Sequence, residues 1–363
     1  MPVRRGRRPR RPHAVRAQPA LSEFVRVVVP HLRSALISTI ARERLSRAAR
    51  QVPSSDLAGF ECALDEARRT ADLIVRLPPA GFDIPTGGGP LWRRIHSLSV
   101  RLRDNLAPHF ESVNVMGLEY DVPSDDTAIP PPALFFELNS DVGREGRTPH
   151  LIALTGELFG RSAMRATAAL LRRCVEALPA DSAPFQLGAM LSRPGEAVRL
   201  VISDVPPHCL LAYLRDIAWK GDERSVSNVV NALSPYVDSF ALSMDLAHVV
   251  HPRIGLECYV SPGSGFLPGW RRLLDRLVEF ELCSAAKAEG LLAWSGVCQE
   301  STCPDVWPPH LRWGDRLLGP RATSVIARTL GHVKVVVQPE RPLEAKAYLG
   351  FAHYWIERRA QHE

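Results

Sequence analysis

HVKVVVQPERPLEAKAYLGF, residues 332–351, is the stretch that decides how this sequence reads. In its first run His332, Lys334, Val336 and Gln338 alternate with Val333, Val335 and Val337. In its second, Lys346, Tyr348 and Gly350 alternate with Ala345, Ala347, Leu349 and Phe351. A period of two is the signature of a β-strand, whose successive side chains point to opposite faces. The two runs are joined by a short Pro-bearing link, too short for a βαβ crossover, so they predict an antiparallel hairpin. Each strand presents one apolar face and one face carrying a cation or a tyrosine.

Three more pairs of this kind lie upstream: VNVMGLEYDV with PALFFELN (113–122, 132–139), FQLGAML with AVRLVIS (185–191, 197–203), and SFALSMDLA with RIGLECYV (239–247, 253–260). Their facings follow by the same alternation. Arg199 and Ser203 oppose Val198, Leu200 and Ile202, while Arg253, Gly255, Glu257 and Tyr259 oppose Ile254, Leu256, Cys258 and Val260. Helical spacing separates the pairs over 161–178, 207–234 and 268–296, and a terminal helix is expected from about His353. A further helix is predicted over 90–110, with Trp92, Ile95, Leu98 and Leu102 on one side. Residues 21–78 read as helices interrupted at Pro30, followed by the loop PPAGFDIPTGGGP (78–90). That loop lacks the lysine and hydroxyl of a P-loop, so it is a turn and not a phosphate cradle.

The rhythm also repeats in its residues. RPGEA (193–197) recurs as RPLEA (341–345), LLRRCVE (170–176) as LLDRLVE (273–279), and the Pro132/Glu137 bracket as Pro252/Glu257. The alternative is that helix-and-hairpin sequences resemble one another anyway. Taken as a duplication, the matches give a basic tail over 1–20, a helical region over 21–89, and two α-ββ-α-ββ halves over 90–205 and 206–363, the second with a loop inserted at 297–325. The expected fold is therefore α+β, with eight antiparallel strands able to close a barrel inside outer helices and so remove free sheet edges.

Composition sets the outer bounds. A 363-residue chain with 45% hydrophobic and 23% charged residues is long enough for a sizeable core and is not a disordered one. Seven of its arginines fall in residues 1–20, which hold no acid, so the formal charge of +6 becomes 6 − 7 = −1 for the remainder. The tail has no aromatic residue to stack on bases, and nucleic acid is not the expected partner. Only Lys220, Lys287, Lys334 and Lys346 are lysines, leaving 45 − 4 = 41 arginines, a bias that usually follows codon usage. No apolar run of about 20 residues predicts a membrane span. The Arg-rich start is not followed by an uninterrupted apolar stretch and a small-residue cleavage site. Seven cysteines without a regular framework are expected as reduced thiols in the cytoplasm.

If helices cover the apolar strand faces, the polar faces line the interior and bring together Arg199, Arg253, Lys334, Lys346, Tyr259 and Tyr348, with Glu137 and Glu257 among them. An open sheet would turn the same faces to solvent. Here a resemblance enters. The helix–hairpin rhythm, the length and the strand Lys346-Ala347-Tyr348 resemble the soluble aromatic prenyltransferases of the ABBA, or PT-barrel, type, over roughly residues 90–363. That family has five hairpins where four are clear here, and HLIALTG (150–156) is a candidate part of the fifth. The resemblance implies a barrel lumen holding an allylic diphosphate and an aromatic or peptide acceptor. Lys346 and Tyr348 are the matched diphosphate-binding pair. Arg199, Arg253, Lys334 and Tyr259 join them by facing, and Glu137 and Glu257 are the carboxylates implied to orient or deprotonate the acceptor. No DDxxD occurs, which disfavours the Mg²⁺-aspartate prenyltransferases, and neither a metal nor another cofactor is expected. The rival is a non-enzymatic ligand- or peptide-binding accessory protein using the same sheet or cavity.

Two smaller constellations remain. Cys298-x₄-Cys303 with His310 has the residue types of a metal site but is one ligand short. The surrounding 298–314 segment reads as a lid or a packed surface loop. His208-Cys209 are adjacent, whereas a nucleophile and its base usually converge from separate segments. GxSxG, HExxH, GxGxxG and Walker motifs are absent from the sequence.

Overall fold

Period-two alternation, interrupted by a few bulges, shapes the strands of the computed structural model, which describes residues 20–77, 90–125, 129–139, 144–191, 197–261, 263 and 266–357. The basic tail and most of RPGEA lie outside the described residues. The strands are β1 (Leu57–Ala63), β2 (Ala71–Leu77), β3 (Val113–Tyr120), β4 (Ala133–Leu138), β5 (Ala183–Ala189), β6 (Val198–Ser203), β7 (Ser239–Leu246), β8 (Val250–Tyr259), β9 (Gly296–Cys298), β10 (Ala322–Val337) and β11 (Glu344–Glu357). The helices are α1 (Leu21–Val28), α2 (Thr39–Ala48), α3 (Pro90–Arg103), α4 (Arg144–Phe159), α5 (Arg161–Glu176), α6 (Leu210–Asp216), α7 (Glu223–Leu233), α8 (Phe266–Glu279), α9 (Ala285–Leu292) and α10 (Pro309–Leu318).

Ten strands close a barrel. Antiparallel pairing runs from β11 to β1 and on through β8 to β10, and β10 pairs back onto β11. The short β9 adds to β10 outside that circuit, at Ile326–Arg328. Closure leaves the barrel without an unpaired edge. In the β10–β11 hairpin Lys334 stands directly opposite Lys346, and a bulge between Leu330 and His332 sets His332 opposite Tyr348.

Helices cover the apolar outer faces. In α7, Val226, Val229, Val230 and Leu233 are buried at i, i+3, i+4 and i+7, one stripe of a 3.6-residue helix, and the Asp222 carboxylate caps its start by accepting from Ser225 N at 3.0 Å. In α8, Trp270, Leu273, Leu274 and Leu277 are buried in the same way. Against them lie the outward rows of the strands, such as Val333, Val335 and Val337, all fully buried. Each such side chain contributes about 1.5–3 kcal/mol on leaving water. Among the described residues no helix is long and apolar enough to cross a membrane.

Four expectations are corrected. Residues 57–77 are not helical: they form β1 and β2, the fifth hairpin, paired to β11 on one side and β3 on the other. The Ala, Leu and Arg of ECALDEARRTADLIVRL favour helices locally, but two strands needing partners override that preference. HLIALTG belongs to α4, with Leu151, Leu154 and Leu158 buried at helical spacing. No helix begins at His353. β10 starts at Ala322 and not at Val333, and β11 extends to Glu357 to pair with it. Lastly, the 297–325 insert is ordered into β9, α10 and the first residues of β10.

Candidate active site

The barrel encloses a cavity of about 570 Å³. At one end it adjoins a polar niche of about 20 Å³, and Glu119, Arg199, Lys334 and Tyr348 line both spaces. All eight residues singled out in the sequence lie on these walls. Glu137, Glu257 and Tyr259 line the large cavity, Arg253 and Lys346 the niche, and Arg199, Lys334 and Tyr348 both. Strand alternation is the cause, because it sends one face of each strand into the lumen.

The polar end is built on β10, β11, β8 and β1. The Lys334 ammonium lies 2.8 Å from Glu257 Oε1, and Tyr259 Oη donates to Glu257 Oε2 at 2.9 Å. Lys346 Nζ and Tyr348 Oη both donate to Glu61. The Tyr348 ring stacks on His332 with centroids 4.0 Å apart, and His332 packs on Tyr259 at 4.9 Å. Lys334 also sits 5.5 Å from the Tyr348 ring centroid. Two like charges directly opposite on neighbouring strands repel. Lys334 and Lys346 coexist because each has its own carboxylate. Gly255 makes room for the stem of Lys334: a Cβ there would stand 2.9 Å from Lys334 Cε. Further round the wall, Arg199 forms a bidentate pair with Asp245 at 2.7 and 2.9 Å, and Arg76 pairs with Glu137.

Burial governs the protonation states. It disfavours the Glu61 carboxylate, but the ammonium groups of Lys346 and Lys334 more than offset it and hold Glu61 at about 2. Against the same burial Glu257 is held low by Lys334, and Asp245 by Arg199. Where no cation is paired, burial wins. Together with the negative charge of Glu61 it pushes Glu119 up to about 7 and Asp72 up to about 7. Burial, with help from Lys334, lowers His332 to about 4, so its ring is neutral at pH 7. The lumen thus holds carboxylates of two kinds: a set locked to cations, and two near-neutral acids able to exchange a proton at physiological pH.

Five of these side chains escaped the sequence reading. Glu61, Asp72 and Arg76 lie on the hairpin taken for helix, although ADLIVRL (71–77) alternates Asp72, Ile74 and Arg76 against Ala71, Leu73, Val75 and Leu77. Glu119 and Asp245 lie on strands that were recognised, with facings that alternation already gives. The other sequence candidates fall elsewhere. His208 and Cys209 occupy the 3-10 turn Pro207–Cys209 and line neither cavity. His310 pairs with Glu23 at 3.2 Å, away from the cysteines.

Comparison with family models finds none that matches this sequence, and comparison with curated proteins finds no match. Solved structures do match. Prenyltransferase PriB in its apo form is 13% identical, with 92% of this chain and 96% of that chain covered and a TM-score of 0.52. PriB in a ternary complex with L-tryptophan and dimethylallyl thiolodiphosphate is 13% identical, with 91% and 96% covered and a TM-score of 0.52. A 5-dimethylallyltryptophan synthase from Streptomyces coelicolor is 13% identical, with 92% and 98% covered and a TM-score of 0.49. Identity at this level speaks to architecture alone, and over nine-tenths of its length the chain is folded like PriB, with the helix-ringed antiparallel barrel of the ABBA type.

Proposed function

We propose that the protein transfers a prenyl group from an allylic diphosphate to an aromatic acceptor, either a small molecule or a peptide. The observation that supports this reading best is the layout of the lumen. Lys334, Lys346, Arg199 and Arg253 meet at its polar end, while Ile74, Phe135 and Phe185 line its larger space. In such a reaction the C–O bond to the diphosphate breaks and its electron pair leaves on oxygen. A π pair of the arene then forms the new C–C bond, and the ring proton passes to a base. Preorganised cations in a dry cavity stabilise the charge that develops on the leaving group. Stacked Tyr348, His332 and Tyr259 offer ring faces to the allyl cation.

For the proton, Glu137 and Glu257 are the carboxylates the sequence proposes, and each is held by a cation. Glu119, unpaired with a cation and near 7, is better matched to accept and return a proton at neutral pH. The test is incubation with dimethylallyl or geranyl diphosphate and a panel of indoles, phenols and peptides, read by mass of the product. Absence of both binding and turnover across the panel would sink the enzyme reading.

One observation favours a second reading. Arg76, Arg199, Lys334 and Lys346 each pair with a carboxylate in the lumen. A cavity neutralised in this way suits an uncharged or zwitterionic ligand, as a binding protein without enzymatic activity would hold. Calorimetric titration with inorganic pyrophosphate separates the two: saturable binding supports the transferase, and no binding supports the binder.

A further inference from the structure

Outside the lumen, three ligand-type side chains converge beside the short strand β9. Among the described residues, one group of His and Cys side chains brings its ligand atoms within 4.8 Å of one another: His31, Cys298 and Cys303. His31 Nε2 lies 3.3 Å from Cys298 Sγ, from a position 267 residues earlier in the chain. We propose that these three residues bind a thiophilic divalent cation, with Zn²⁺ the fitting ion, and that the site is independent of the reaction in the lumen.

Backbone structure, and not chance proximity, holds the three in place. Cys298 ends β9, whose pairing with β10 sets it opposite Ile326 and buries it. The chain then turns back on itself: Cys303 N and Thr302 N both donate to Gln299 O, at 3.0 and 2.9 Å, and Gln299 N donates to Thr302 Oγ1 at 3.1 Å. That turn returns the Cys303 thiol to the Cys298 thiol, as a C-x₄-C loop must if both are to reach one ion. His31 closes the 3-10 turn Val29–His31, in a segment whose neighbour Leu32 is fully buried.

Tetrahedral Zn²⁺ with Zn–S of about 2.3 Å and Zn–N of about 2.05 Å places sulfur about 3.8 Å from sulfur and about 3.6 Å from nitrogen. The 3.3 Å between His31 Nε2 and Cys298 Sγ is within a few tenths of an ångström of that geometry, and the remaining separations, all within 4.8 Å, close to it with shifts of at most about 1 Å. Two thiolates and an imidazole suit Zn²⁺ far better than Mg²⁺ or Ca²⁺, which take oxygen ligands. Three protein ligands leave a fourth position for water, and His31 and Cys303 are both only half-buried. The bound ion would clamp the N-terminal segment to the insert that carries α10. The sequence candidate His310 is replaced by His31, which no local spacing connects to the cysteines.

The test uses the full chain, purified with a chelator and kept under a phosphine reductant. Zn²⁺ is titrated in against a chromophoric chelator, and Co²⁺ is titrated separately as a spectroscopic probe. The expected result is one equivalent of either metal, with a thiolate-to-cobalt charge-transfer band and tetrahedral d–d bands in the visible. Zn²⁺ free at 100 times its Kd should raise Tm by about 3–4 °C. Cys303→Ser and His31→Gln, both at half-buried positions, should lower the affinity at least tenfold and remove the Tm rise, while His310→Ala should leave both unchanged. Absence of stoichiometric binding in the wild type would overturn the proposal, and so would equal binding and an equal Tm rise in Cys303→Ser and His31→Gln.

Discussion

Replacing Glu119 by Gln tests the electrostatic reading of the lumen directly. Glu119 stands on β3 opposite Ile74 and Ala133, facing inward with no cation paired to it by a salt bridge. Burial and the charge of Glu61 raise it from its ordinary 4.5 to about 7. A raised acid binds a proton in the folded chain that the unfolded chain has already released. Below about pH 4.5 both states are protonated and the group is neutral to stability. Between 4.5 and 7 stability falls as pH rises, and above 7 the whole penalty is present. At 1.36 kcal/mol per pH unit, the interval from 4.5 to about 7 corresponds to about 3 kcal/mol. Gln keeps the shape and removes the titration, so any packing cost it brings is independent of pH.

The assay is urea denaturation of both proteins at pH 5, 6, 7 and 8, read as the difference in unfolding free energy. That difference should move in favour of Glu119→Gln by about 2–3 kcal/mol from pH 5 to pH 8. Subtraction cancels every other titrating group that the change does not touch. A difference that stays flat across the range would refute the raised value, and with it the assignment of Glu119 as the proton acceptor. Glu61→Gln offers a cross-check. Removing the charge that helps to raise both Glu119 and Asp72 should bring their titration down together and shift the pH profile of stability to lower pH.

Three further outcomes follow from the same contacts. Lys346→Met leaves Glu61 buried without its ammonium and should cost about 3–5 kcal/mol above pH 5. Because the paired Glu61 titrates near 2, that deficit should shrink as pH falls from about 4.5 toward 2, which acid-range urea titrations would show. Gly255→Ala puts a methyl 2.9 Å from Lys334 Cε and should destabilise by about 1–3 kcal/mol through displacement of Lys334. A double-mutant cycle with Lys334→Met should then be strongly non-additive. Lys287→Met removes a buried ammonium that donates to the carbonyls of Ala63 (2.6 Å) and Arg68, and should lower stability by about 1–3 kcal/mol through two stranded acceptors.

Alternation made the barrel wall legible wherever a strand carried its cation among branched or aromatic residues. VKVVVQ, RIGLECYV and AVRLVIS gave the facings of Lys334, Arg253, Glu257, Tyr259 and Arg199 from a period of two alone. The same rule failed on β1 and β2. Their alanines, leucines and arginines have a high intrinsic preference for helix, and only pairing with β11 and β3 makes them strands. That one misreading removed Glu61, Asp72 and Arg76 from view. With Glu61 went the partner that explains how Lys346 can stand opposite Lys334. Charge pairing across a barrel is not local in sequence: Glu61 and Lys346 are 285 residues apart, and no spacing rule connects them. The approach of His31 to Cys298, 267 residues later in the chain, is hidden for the same reason.

The paired charges also constrain how a diphosphate would bind. If the ligand takes Lys346 from Glu61 and Lys334 from Glu257, two carboxylates lose their cations beside a new polyanion. Both effects raise carboxylate pKa values. Glu119 and Asp72, already near 7, lie closest to neutrality and would fill with protons first. Binding at pH 7–8 must then take up protons, and the apparent affinity must weaken as pH rises through that range. An uncharged ligand in the same cavity displaces no cation and requires no such uptake. Pyrophosphate titrated calorimetrically in two buffers of different ionisation enthalpy measures the uptake. Comparison with Glu119→Gln cancels the titration of pyrophosphate itself, so wild type should take up more protons than the variant. Equal uptake by the two proteins would mean that the lysines serve the anion without releasing their carboxylates, and the lumen would then have to rearrange as a whole when it fills.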